Sequence, residues 1–128
     1  MAEEKRFENK VKKYLDSKGE DVWYVKFFAN KFTRSGVPDL LINYKGYPIA
    51  MEVKAVDGTF EDELQPWNIR KINKARGIAG VLIPTEGKER FRRYIERNYP
   101  DYIDTPIYDF EDFKKIIETI DQYDLDKV

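Results

Sequence analysis

The segments Gly36-Val37-Pro38-Asp39-Leu40-Leu41-Ile42 and Ile49-Ala50-Met51-Glu52-Val53-Lys54 hold the residues whose types and spacing could do chemistry. An acid opens the first apolar run, and an acid-x-lysine triplet closes the second. Side chains alternate along a strand, so Ala50, Glu52 and Lys54 share one face and Ile49, Met51 and Val53 the other. The connection Asn43-Tyr44-Lys45-Gly46 is short enough for an antiparallel hairpin, which sets the start of one strand beside the end of the next. Asp39 is then expected near Glu52 and Lys54. Two carboxylates held close repel, and a divalent cation is the usual way to offset that cost. The layout suits metal-dependent hydrolysis of a phosphodiester. Each feature alone has a plainer reading, Glu52 and Lys54 as solvent-facing strand charges and Pro38-Asp39 as a strand-entry turn. Their placement at matching ends of adjacent strands favours chemistry.

The chain has no histidine and no cysteine. This excludes Ser-His-Asp hydrolysis, imidazole-based nucleases, thiolate nucleophiles and most zinc sites. Acid–base work falls to carboxylates, lysine, tyrosine or water. Asp39 and Glu52 are hard oxygen ligands, which favours Mg²⁺ (or Mn²⁺) as the cofactor.

The surrounding elements follow from periodicity. Phe7, Val11, Tyr14 and Leu15 recur at helical spacing between Glu3 and Ser17, with Glu8 bordering the stripe and Lys12 available as its i,i+4 partner. Residues 22–28 read as a first strand. The polar, basic stretch 29–35 follows, and its Lys31, Arg34 and Ser35 are placed to guide phosphates toward Asp39. Asp62 and Gln65 have capping-box spacing at the start of a helix that ends near Gly77. On that helix Leu64, Ile72 and Ala75 fall on one side and Trp67, Arg70, Lys71 and Lys74 on another, a candidate DNA-contact face whose plain alternative is a solvated one. A buried strand over 78–84, a helix capped by Thr85 and running to about Arg97, with Phe91, Tyr94 and Ile95 inward and Arg90, Arg92, Arg93 and Arg97 largely outward, a minor strand at 106–108 and a helix capped by Asp109 complete the chain. The order is helix, three strands, helix, strand, helix, helix, an α/β protein with a mixed sheet.

Gly-x-Pro-Asp, then Glu-x-Lys, then a Gln about ten residues on at a helix start resembles the PD-(D/E)xK nuclease superfamily, within it the VRR-NUC domains and Holliday junction resolvases. The resemblance runs from Glu8 to about Pro84. It implies a restriction-endonuclease-like core in which Asp39, Glu52 and the Val53 carbonyl bind Mg²⁺ or Mn²⁺ and Lys54 orients or activates the attacking water. It further implies that Glu8 and Gln65 complete the site, and that the substrate is DNA, in branched or structured form.

At 128 residues, 41% hydrophobic and 37% charged, the chain suits one globular domain. No apolar run approaches a membrane span. Its first residues are charged where a signal peptide needs an apolar stretch, so a cytoplasmic location is expected. The net charge of −1 divides unevenly: residues 101–128 carry nine acids and three lysines, which leaves the first hundred residues at +5. The acidic C-terminal segment is expected to be a packing helix with a solvated acidic face. Trp23, Phe27, Phe28, Phe32 and the 110–120 helix offer more apolar surface than a small core obviously needs, so a homodimer is expected. Two other classes stay open, a non-cleaving nucleic-acid-binding module of the same fold and a protein-interaction subunit.

Overall fold

The turn at Lys45-Gly46 sets the register on which the rest of the molecule is built. Both residues have positive φ, 49° and 89°, the type I′ geometry whose twist matches the strands it joins. Asn43 Oδ1 accepts the Gly46 N–H at 2.8 Å and steadies it.

The computed structural model describes residues 2–27 and 35–126. Its elements are α1 (Ala2–Asp16), β1 (Val22–Lys26), β2 (Leu40–Tyr44), β3 (Tyr47–Val53), α2 (Leu64–Lys74), β4 (Ile78–Leu82), α3 (Thr85–Asn98), β5 (Ile107–Tyr108) and α4 (Phe110–Asp126). The strands form one mixed sheet in chain order, β1-β2-β3-β4-β5. The pairs β1–β2 and β2–β3 are antiparallel, and β3–β4 and β4–β5 are parallel. A parallel pair needs a crossover, and α2 and α3 supply the two required here. None of the helices among the described residues is long and apolar enough to cross a membrane.

A core fills each side of the sheet. Val11 and Leu15 of α1 and Phe113 and Ile117 of α4 meet Leu40, Ile42, Ile49 and Met51 on one side. Ile69 of α2 and Phe91 and Ile95 of α3 meet Ala50, Ala79 and Val81 on the other. The C-terminal helix is therefore part of the first core. Phe113 and Ile117 are fully buried, so the apolar face of this helix, part of the surface that suggested a dimer, is spent within the chain. Trp23 is 66% exposed on the edge strand. Phe28 and Phe32 lie outside the described residues.

Three helix ends differ from expectation. Asp62 does cap α2 locally, through Leu64 N–H at 2.8 Å, but the Gln65 side chain reaches back to Glu61 N–H at 2.9 Å rather than to the Asp62 N–H that a capping box requires. At the far end Arg76 takes the positive φ of 74°, while Gly77 is needed because a Cβ there would press on Ile72 at 2.8 Å. Thr85 does not cap α3; it is the first helical residue, and its hydroxyl donates to Asp109 Oδ2 at 3.0 Å. The expected Asp109 cap is present: Asp109 and Asp112 exchange side-chain to backbone bonds at 2.9 and 3.0 Å.

Candidate active site

Asp39 stands where three strand ends meet. It precedes Leu40, which pairs with Lys26 on one side and Met51 on the other. Its carbonyl accepts Phe27 N–H at 2.6 Å, and its Oδ1 accepts Val53 N–H at 2.9 Å. The carboxylate is thereby fixed beside the end of β3. Gly36 makes the approach possible. It has φ +78°, and a Cβ there would lie 2.6 Å from the Leu64 backbone, so the chain entering β2 lies directly against the start of α2.

Glu52 and Lys54 lie on the sheet face covered by α2, as strand alternation requires. Both are buried, Glu52 to 6% exposure. Gln65, on the first turn of α2, joins them: its Oε1 accepts Glu61 N–H at 2.9 Å and Lys54 Nζ at 3.2 Å, and its Nε2 reaches Glu52 Oε2 at 3.4 Å. Lys54 Nζ lies 3.5 Å from Glu52 Oε2. The expected partition of α2 holds for Ile72, which packs against the second core, but fails for Leu64 and Ala75 for this reason. Leu64 and Ala75 are exposed while Gln65, Pro66 and Ile69 are buried, because the helix turns a polar residue inward to the site rather than following apolar periodicity alone.

On the other side of Asp39 a second ion network forms. Lys26 Nζ donates to Asp39 Oδ2 at 2.9 Å and to Glu8 Oε1 at 2.6 Å. Glu8, 4% exposed, also pairs with Lys12 at 2.9 Å through Oε2. Glu8 is thus the i,i+4 partner of Lys12 and at the same time linked to Asp39 through Lys26. Lys26 was not singled out from sequence. Its signal was available: with Val22 and Tyr24 it falls on the covered face of β1, at the end that adjoins Asp39.

The electrostatics separate the acids. Burial would raise the Glu8 carboxyl, but the Lys26 and Lys12 ammoniums outweigh it and hold Glu8 below the usual carboxylate range. Burial would lower Lys26, and Glu8 and Asp39 together raise it instead. Glu52 is pushed up to about 8, first by burial and then by the Asp39 charge, with Lys54 a partial offset. Its contacts at 3.4 and 3.5 Å are too long to compensate for lost water.

This donor set fits a hard divalent cation. Glu52 is a desolvated acid beside another acid, with weak partners, which is the electrostatic situation a bound cation relieves. Among the described residues no group of three or more Asp, Glu, His or Cys side chains gathers at metal-binding distance. Asp39 and Glu52 with the Val53 carbonyl would therefore be the protein's contribution, and Mg²⁺ typically takes one or two carboxylates and keeps several waters.

The expected DNA-contact residues are only partly free for that role. Lys31 and Arg34 lie outside the described residues. Ser35 is exposed, and its carbonyl accepts from Asn68 at 3.3 Å. Lys71 and Lys74 are exposed, with Lys71 Nζ 5.6 Å from the centre of the half-buried Trp67 ring. Arg70 is engaged within the fold: it pairs with Asp104 at 2.7 Å, donates to the Asp101 carbonyl and stacks over Tyr102 at 4.4 Å. Two arginines of α3 expected to point outward are likewise engaged, Arg90 on the Val56 and Gly58 carbonyls and Arg92 on those of Ile103 and Thr105. No family model, no curated protein and no solved structure matches this chain.

Proposed function

We propose that this protein is a Mg²⁺- or Mn²⁺-dependent endonuclease with a restriction-endonuclease-like core, acting on branched or otherwise structured DNA in the cytoplasm. The observation that carries the reading is the convergence of Asp39, Glu52 and Lys54, with Gln65, at one end of a mixed sheet. A cation held by Asp39, Glu52 and the Val53 carbonyl would supply Lewis-acid polarisation of the phosphoryl group and would acidify a water. Gln65 fixes the Lys54 ammonium, so that it can orient the nucleophile or stabilise charge developing on the phosphate. Burial of Glu52 and Lys54 excludes bulk water from that side, which strengthens both effects. Lys71 and Lys74, one helical turn and more beyond Gln65, would hold the DNA backbone. If the substrate is a four-way junction, symmetric cutting needs two opposed sites, as a twofold dimer provides, and Trp23 on the edge strand is the residue for its interface.

The test is incubation with duplex, flap and four-way junction DNA in Mg²⁺, Mn²⁺ or EDTA. Cleavage is expected with either metal, none in EDTA, and none from Asp39→Asn or Glu52→Gln proteins that fold and bind DNA normally. Binding without cleavage under every condition would make the protein a non-cleaving module of this fold. Turnover at the wild-type rate in either variant would refute the site assignment.

A further inference from the structure

Both oxygens of Asp39 are engaged. Oδ1 accepts the Val53 amide, and Oδ2 accepts the Lys26 ammonium at 2.9 Å. Lys26 is well placed to hold on, because its side chain is only 12% exposed and Glu8 anchors the same ammonium at 2.6 Å. The amide bond to Oδ1 is part of how the hairpin end is built and moves only with the backbone. The bond to Oδ2 comes from a flexible side chain with a second carboxylate in reach. Asp39 can therefore turn toward a cation shared with Glu52 most easily by giving up Lys26, and the ammonium is not stranded when it does so, since Glu8 keeps it.

We infer that Lys26 is a positioning residue that holds Asp39 in the metal-free protein and must yield Asp39 Oδ2 when a divalent cation binds, so that Lys26 sets the affinity for the cation. The inference rests on the metal-dependent reading of the site. It assigns Glu8 a specific part as well, that of the acid retaining Lys26 in both states. A lysine that only braced the fold would stabilise the metal-free and metal-loaded proteins alike. One that competes with the metal stabilises the first at the expense of the second.

The experiment is calorimetric titration of the full chain with Mn²⁺ and with Ca²⁺, without DNA, for wild type, Lys26→Met and Lys26→Arg. Lys26→Met is expected to bind either ion about tenfold more tightly, a factor worth about 1.4 kcal/mol, and Lys26→Arg to stay close to wild type. The melting temperature of Lys26→Met should fall below wild type in EDTA and recover most of the difference in saturating Mn²⁺. Should Lys26→Met fail to fold, the wild type alone decides. The ¹⁵N signal of its Lys26 ammonium, bonded to both Glu8 and Asp39, should shift and lose protection from exchange when Ca²⁺ is added. Equal or weaker metal binding by Lys26→Met, a melting deficit indifferent to Mn²⁺, or a Lys26 signal unmoved by bound Ca²⁺ would overturn the inference and leave the nuclease reading standing. Absence of any Mn²⁺ or Ca²⁺ uptake by wild type at millimolar concentration would overturn both.

Discussion

Replacing Glu52 by Gln should stabilise the metal-free protein, and by an amount that depends on pH. Glu52 gives up its proton near 4.5 in the unfolded chain and near 8 in the folded one. Between those values the folded state binds the extra proton, so stability falls as pH rises, by about 1.4 kcal/mol per pH unit, and the loss is complete above about pH 8. The shift corresponds to a cost of about 3 to 5 kcal/mol at pH 9. Gln has nearly the same shape and no charge to desolvate, so it escapes this cost. Urea unfolding in EDTA at pH 5, 7 and 9 should show the variant close to wild type at pH 5 and increasingly more stable above it. Saturating Mn²⁺ at pH 8 should reverse the order, because the ionised wild-type carboxylate gains a partner that the amide cannot match. A difference that stays constant from pH 5 to pH 9 would refute the account of Glu52 as a desolvated acid beside Asp39.

Neutralising Lys71 and Lys74 together should weaken binding to all DNA sequences alike and lower the slope of log affinity against log salt by about two. An unchanged slope would return that helix face to solvent. Arg70→Gln should leave the slope alone and lower the melting temperature, since Arg70 serves Asp104 and Tyr102 rather than phosphate. Phe113→Ala should cost about 3 to 5 kcal/mol in urea unfolding, because the ring is fully buried between α4 and the sheet. Light scattering should give twice the chain mass for the wild type and the chain mass for Trp23→Glu. A monomeric wild type would remove the paired-cut version of the proposal without touching the metal site.

The parts of this architecture legible in the sequence are those set by local rules. Strand alternation placed Glu52 and Lys54 together, the Lys45-Gly46 turn fixed the hairpin, and the stripes of α1 and α3 named their buried residues. What escaped is what depends on contacts distant in sequence. Gln65 stood open between capping the helix and joining the site, and only the approach of α2 to the sheet shows it bonded to Lys54 as well as to the Glu61 amide. Arg70, Arg90 and Arg92 looked solvent-facing because their acceptors, carbonyls and Asp104, lie 11 to 34 residues away in loops that carry no apolar signal. Lys26 lies within the 22–28 run, and which of that run's two alternating faces is covered shows only when β1 is paired with β2 and Val22 and Tyr24 pack on the first core.

The charge division along the chain becomes intelligible once α4 is in place. Asp121 accepts from Tyr44 at 2.7 Å and pairs with Lys45 at 2.9 Å, beside the turn at the far end of β2 from Asp39. Five residues of strand at about 3.3 Å each put on the order of 17 Å between those ends, twice the Debye length at physiological salt. Acidic residues there would neither compete with a DNA substrate for the proposed site nor repel it appreciably. Nearer the site, Asp112 is neutralised by Lys88 at 2.6 Å, and its remaining capacity goes to the cap of α4. Asp104, Asp112 and Asp121 of the acidic segment are thus each paired with a cation from elsewhere in the fold, so the segment would not by itself bar DNA from the proposed site. It is also indispensable, because Phe113, Ile117 and Ile120 close one side of the sheet. Deleting residues 101–128 would raise the net charge to +5, yet it would expose the face on which α1, and with it Glu8, is packed.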